Sequence, residues 1–128
     1  MKRHTALQDL SREHYRALKL ALACRRACDS GDSAQQDAMI AECCTVFAQE
    51  LEPHFQTEER DLLPRLAAAG ENALVDRTLA EHAEFRALIA QLPQQGASGL
   101  TRFAELMNAH VRFEEREMFA AMEKLLAA

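Results

Sequence analysis

His54-Phe55-Gln56-Thr57-Glu58-Glu59-Arg60 returns 56 positions later as His110-Val111-Arg112-Phe113-Glu114-Glu115-Arg116, and upstream Phe47-Ala48 aligns with Phe103-Ala104 at the same offset. In each copy a histidine precedes a glutamate by four residues, a spacing that sets imidazole and carboxylate on one face of a helix, a turn apart. The same face carries Phe47, Leu51 and Leu62 around the first pair, and Phe103, Met107, Met118 and Leu125 around the second. The stretch therefore predicts two helices whose polar pairs lie in apolar stripes. A buried histidine and carboxylate must be paired, protonated or bound to a metal, because an unpaired buried charge is expensive. Two such pairs in one small chain point to a shared ion inside a helical bundle.

The rest of the chain supplies the other helices. Leu7, Leu10, His14, Ala17, Leu18, Ala21, Cys24 and Cys28 recur at three- and four-residue steps, which predicts a long first helix. Asp29 to Ser33 ends it, and Ser33-Ala34-Gln35-Gln36 reads as a capping box for the second. That helix is expected from Ala34 to Leu66, kinked at Pro53 and ending or bending again near Pro64. After a turn at Gly70-Glu71-Asn72, a third helix from Ala73 to Leu92 should bury Val75, Leu79, His82, Phe85, Ile89 and Leu92 and stop at Pro93. Pro93 to Gly99 then reads as a linker into the fourth. Short turns between four helices imply an all-α, up-and-down antiparallel four-helix bundle.

A second echo deepens the repeat, since Glu13-His14 recurs as Glu81-His82 at an offset of 68. Each half thus carries one lone histidine and one His-x-x-x-Glu, and the site is expected to be pseudo-twofold. Counting from the turns brings His54, His82 and His110 to one level. His14 misses it by roughly 10 Å at 1.5 Å per residue.

Bulk properties exclude several classes. The chain has 128 residues, enough for one domain (1–128), and is rich in Ala, Leu and Glu, with four Gly, three Pro and no Trp. A net charge of −5 without a Lys/Arg run argues against nucleic acid. Charged residues from Asp9 to Lys19 interrupt any signal-like apolar region, and no stretch matches a membrane span, so a soluble cytoplasmic protein is expected. Cys24, Cys28, Cys43 and Cys44 lack a disulfide pattern and read as reduced thiols, small core residues first and a redox-active group as the alternative. Tyr15 reads as packing or as a neighbour of the metal, and Arg60, Arg65, Arg77, Arg112 and Arg116 as solvated faces.

His14, His54, Glu58, His82, His110 and Glu114 are the candidate metal ligands, with His4 left outside near the terminus. Tetrahedral zinc would be saturated by fewer groups, whereas several imidazoles and two carboxylates suit two iron ions bridged by glutamate. Neither His-Glu-x-x-His nor the Glu-x-x-His of ferritin-like bundles is present, positions 11, 51, 79 and 107 being Ser, Leu, Leu and Met.

These residues resemble the hemerythrin-like, or HHE cation-binding, domains over essentially the whole chain. The resemblance implies a four-helix bundle around a non-haem di-iron centre, with the four histidines as terminal ligands and Glu58 and Glu114 bridging beside an oxo or hydroxo group. The oxygen-carrying members have a further histidine where this chain has Arg86, and their fourth-helix carboxylate aligns with Glu115. The internal repeat favours Glu114 over Glu115. Without the fifth histidine each iron has about five ligands and one open octahedral position. The functions that follow are binding or sensing of O2, NO or peroxide in an oxidative or nitrosative stress response, peroxide or NO reduction with an unidentified electron donor, or iron storage and donation. The ligand set is also similar to that of di-iron proteins linked to iron-sulfur cluster repair, which carry an additional cysteine-bearing domain. A homodimer is compatible with all of these.

Overall fold

The computed structural model describes residues 3–127, and among them there is no strand. Four long helices run up and down: α1 (Thr5–Ser30), α2 (33–68), α3 (Asn72–Gln95) and α4 (97–127). Each packs against its two neighbours, and α1 closes the ring most extensively against α4.

The ends follow local chemistry. His4 caps α1, its Nδ1 accepting from the Ala6 amide at 3.0 Å. Gly31, at φ 66°, closes α1 with its N–H on the Cys28 carbonyl. Asp32, not Ser33, caps α2, its Oδ1 accepting from Ala34 N–H at 2.9 Å, while Gln36 reaches back to the carbonyls of Ala27 and Cys28 instead of closing a capping box. Pro93 does not end α3: it lies in the last turn, and the helix runs to Gln95 before Gly96 alone makes the turn, with φ 63°. The expected seven-residue linker is therefore a single glycine.

Neither proline breaks α2. Each follows a short π segment, Phe47–Leu51 before Pro53 and Glu58–Leu62 before Pro64, in which Glu52 N–H bonds Phe47 C=O and Leu63 N–H bonds Glu58 C=O. The wider turn accommodates the missing donor while the helix continues. A third π segment, Glu114–Met118, repeats the second at the 56-residue offset but has no proline after it. In both copies the π turn starts at the repeated glutamate and ends on adjacent buried pairs, Leu62-Leu63 and Met118-Phe119. The extra residue shifts the phase, so Met122 takes the core position expected for Leu125.

Similar shifts correct two other stripes. On α1, Leu20 and Ala27 are buried in place of Leu18 and Cys28. On α3, Thr78 is fully buried and Leu79 is exposed; the Thr78 hydroxyl donates to Leu74 C=O at 2.8 Å, so nothing polar is left unsatisfied.

Two apolar layers result. One, around Leu20, Cys24, Phe47, Phe55, Phe85, Leu92 and Phe103, fills the end of the α1/α2 turn. The other, around Leu7, Leu66, Met118 and Phe119, fills the opposite end. A band of buried polar residues separates them: His14, His54, Glu58, His82, His110 and Glu114. Phe55 ties the first layer to this band, stacking on His82 with centroids 4.0 Å apart and meeting Phe85 at 5.5 Å. Phe55→Ala is expected to cost about 3–5 kcal/mol of stability in denaturant unfolding.

Candidate metal centre

All four helices deliver their histidine to one level. The register offset of His14 shrinks because α1 runs on to Ser30 and the π segment above His54 takes up a residue, and the His14 and His54 rings meet at 5.0 Å. His82 and His110 face each other across the other half at 5.3 Å. Glu58 and Glu114 lie between them, both 0% exposed.

The six side chains form two overlapping groups of four. His14, His54, Glu58 and Glu114 make one, and His82, His110, Glu58 and Glu114 the other; within each group one donor atom per residue lies within 4.8 Å of all the rest. Both carboxylates are shared. Glu114, not Glu115, occupies this interior position.

Every imidazole is oriented twice. Its Nδ1 meets an outer carboxylate: His14 to Glu115 at 2.6 Å, His54 to Glu13 at 2.7 Å, His82 to Glu59 at 2.7 Å and His110 to Glu81 at 2.6 Å. Its Nε2 then points inward, His14 to Glu114 at 2.7 Å, His54 to Glu58 at 3.0 Å, His82 to Glu58 at 3.0 Å and His110 to Glu114 at 3.1 Å. Apart from His14 these inner contacts are close without being hydrogen bonds. His54 Nε2, His82 Nε2, His110 Nε2, both oxygens of Glu58 and Oε2 of Glu114 are buried with no hydrogen-bond partner.

That arrangement is what a cation requires. A neutral imidazole donating from Nδ1 to a carboxylate presents its Nε2 lone pair to the interior, where it meets carboxylate lone pairs. Electron pairs converging on common points are repulsive until a positive charge lies between them. Without a metal, protons take that role: burial pushes His54, His82 and His110 down, but Glu114 and Glu58 outweigh it and hold them at about 11, 9 and 10. His14 is raised in the same way, burial being outweighed by Glu114 and Glu115. Burial and the Glu114 charge push Glu58 up, whereas Glu114, also opposed by burial, is pulled well down by His110 and His14.

A family model, the hemerythrin HHE cation binding domain, matches residues 5–122. The chain belongs to the hemerythrin HHE family. Comparison with curated proteins and with solved structures gave no match. Membership makes this hemerythrin-family protein a cation-binding helical bundle, and the buried His/Glu groups are the place in it suited to a metal. No helix among the described residues is long and apolar enough to cross a membrane.

The four outer carboxylates escaped the reading of the sequence, although their signal was present. Each adjoins an inner residue in a repeated dipeptide: Glu13-His14, Glu58-Glu59, Glu81-His82 and Glu114-Glu115. Arginines brace three of them. Arg86, where the oxygen carriers have a histidine, bonds Glu52 at 2.6 Å and reaches Glu59 at 3.0 Å. Arg77 bonds Glu81 at 2.9 Å with its guanidinium 3.9 Å from the Phe113 ring centre, so it is not simply a solvated charge. Arg3 and Ser11 hold Glu115. Glu81→Gln keeps the shape and removes the charge that fixes His110; it is expected to weaken metal binding about 10–100-fold in chelator competition, with helicity unchanged.

The other candidates fall outside the centre. Tyr15 is 66% exposed under Lys19, outside both the apolar core and the buried polar band. All four cysteines are free; Cys24 and Cys43 are buried in the layer at the α1/α2 turn, while partly exposed Cys28 donates to Ala97 C=O at 3.3 Å.

Proposed function

We propose that this protein holds two iron ions in the band of six residues and uses them to bind a small molecule, O2, NO or peroxide, as a sensor or in a stress response. The observation that carries the reading is the pair of four-residue groups sharing Glu58 and Glu114, with six buried inner atoms lacking any hydrogen bond. One ion would be held by His14 and His54, the other by His82 and His110, and both by the two carboxylates. Four protein donors per ion leave octahedral positions unfilled, room for an exogenous ligand that a saturated site would lack. Bound iron supplies reversible ferrous–ferric chemistry and Lewis acidity.

The protein's own groups set the rest. Six carboxylates, two inner and four outer, surround the centre and offset the charge of two divalent cations, while Arg3, Arg77 and Arg86 trim the excess. Each outer glutamate fixes the tautomer of its histidine and strengthens Nε2 as a donor. The apolar layers above and below keep bulk water from the band.

Metal analysis of protein from iron-fed cells, with absorption spectra in air and after anaerobic reduction, tests the reading. About two irons per chain and a ferric spectrum that bleaches on reduction are expected. A folded, colourless, metal-free protein after iron loading would make the six residues a protonated ion-pair cluster instead.

A further inference from the structure

The two halves of the bundle are not equivalent where the repeat says they should be. The 68-residue offset that aligns His14 with His82 also aligns Ala17 with Phe85, and the 56-residue offset aligns Leu51 with Met107. Phe85 is fully buried and packs edge-on to His110, centroids 5.3 Å apart, plugging the α3/α4 half. Ala17 leaves that space open on the α1/α2 side. A cavity of about 10 Å³ lies there, lined by Glu13, Ala17, Leu51, Phe55 and Met107 and by His14 and His54, and it reaches across to His110. That is about the space of one water-sized probe.

A second difference lies just outside. Glu13 and Glu81 correspond, and each holds a histidine Nδ1. Glu81 is clamped by Arg77, but the position corresponding to Arg77 on α1 is Asp9. Among the described residues Glu13 has no cationic partner other than His54, and its side chain is 52% exposed. It stands at the base of a surface cleft of about 240 Å³ between α1 and α2, whose mouth carries Arg16 and Glu50 and whose floor includes Ala17, Leu51 and His54. Cleft and inner cavity share Glu13, Ala17, Leu51 and His54, so the two adjoin across these residues.

We propose that the metal centre is reached between α1 and α2, through a gate formed by Ala17 and Leu51 beneath the Glu13–His54 hydrogen bond, and that small uncharged molecules pass as these two side chains give way. An ion would surrender its hydration to an apolar passage that returns nothing. The α3/α4 half, with Phe85 as plug and Arg77 as clamp, stays shut. The inference rests on the di-iron reading for what the route serves, but the route itself is a property of the protein chain.

The test has two arms. In the iron-loaded full chain, Ala17→Phe copies the closed half and should slow NO association in stopped-flow by roughly tenfold or more, with iron content and helicity unchanged. Ala80→Phe, on an exposed face of α3, should leave the rate alone. An unchanged rate in Ala17→Phe at full iron content overturns the route. In the metal-free wild-type chain, dissolved O2 serves as a paramagnetic probe of methyl relaxation by NMR. Ala17 and Leu51 should relax at least about threefold more than Leu63 and Val111, which are buried elsewhere to the same degree. Equal enhancement at all four overturns the proposal even if Ala17→Phe fails to fold. If loaded wild-type protein binds no NO while the O2 enhancement is present, the route stands and the small-molecule function falls.

Discussion

Glu114→Ala is expected to strip both of the proposed metal ions from the protein, not one. Glu114 belongs to both four-residue groups, and its two oxygens face different histidines, Oε1 toward His14 and Oε2 toward His110. Its loss reduces each group from four protein donors to three and removes half of the inner negative charge that offsets the cations. A terminal ligand behaves differently: His14→Ala touches one group only and should leave the His82/His110 ion in place. Metal analysis after loading should therefore fall below about 0.2 iron per chain for Glu114→Ala and settle near about one for His14→Ala. Equal losses from the two variants would show that the carboxylates do not bridge. Glu114→Ala also leaves four histidines facing one inner carboxylate in the metal-free chain, so thermal unfolding should be followed alongside, with about 3–5 kcal/mol of destabilisation expected.

The metal-free and metal-loaded proteins should respond to pH with opposite signs. In the metal-free chain, burial pushes His54, His82 and His110 down, yet the facing carboxylates hold them at about 11, 9 and 10. The unfolded chain binds those protons only below about pH 6.5. Groups raised on folding contribute stability that is complete below the unfolded value and is lost as pH climbs through the folded values. The metal-free protein should thus be most stable near neutrality and below, weakening between about pH 7 and 11 by several kcal/mol. At the acidic end the sign changes, because Glu114 is held well below its ordinary value and its share is lost as pH falls through that range. The loaded protein needs neutral Nε2 atoms, so each proton competes with a cation and acid, not base, should release the metal. Melting temperatures of chelator-stripped and iron-loaded protein from pH 5 to 10 measure both slopes, and parallel slopes would show that the histidines do not exchange protons for metal.

Much of this could be read along the chain because the information is periodic. His54, Glu58, His110 and Glu114 sit at four-residue steps within apolar stripes, and the 56-residue repeat names them twice. His14 and His82 follow from the second repeat. What failed was phase and capping. Leu79, Leu18 and Leu125 were expected in the core by extrapolating a regular 3.6-residue period, but Thr78 satisfies its own hydroxyl and the π turn in α4 shifts everything after Glu114. Pro93 was expected to end α3, yet in a last turn a missing donor costs little and the helix continues to Gln95.

The sequence alone determined the helical class, the four-helix count and which residues carry imidazole and carboxylate into the interior, since each follows from spacing within one helix. Tertiary structure decided what no single helix contains. Glu13, Glu59, Glu81 and Glu115 each bond a histidine on a neighbouring helix, so their role depends on how helices face one another. The choice of Glu114 over Glu115 depends on the same facing, because adjacent residues diverge by about 100° around the axis and only the packing says which direction is inward. The asymmetry of Ala17 against Phe85 was written in the repeat, but only packing shows that one side chain fills the space beside the centre and the other leaves it open.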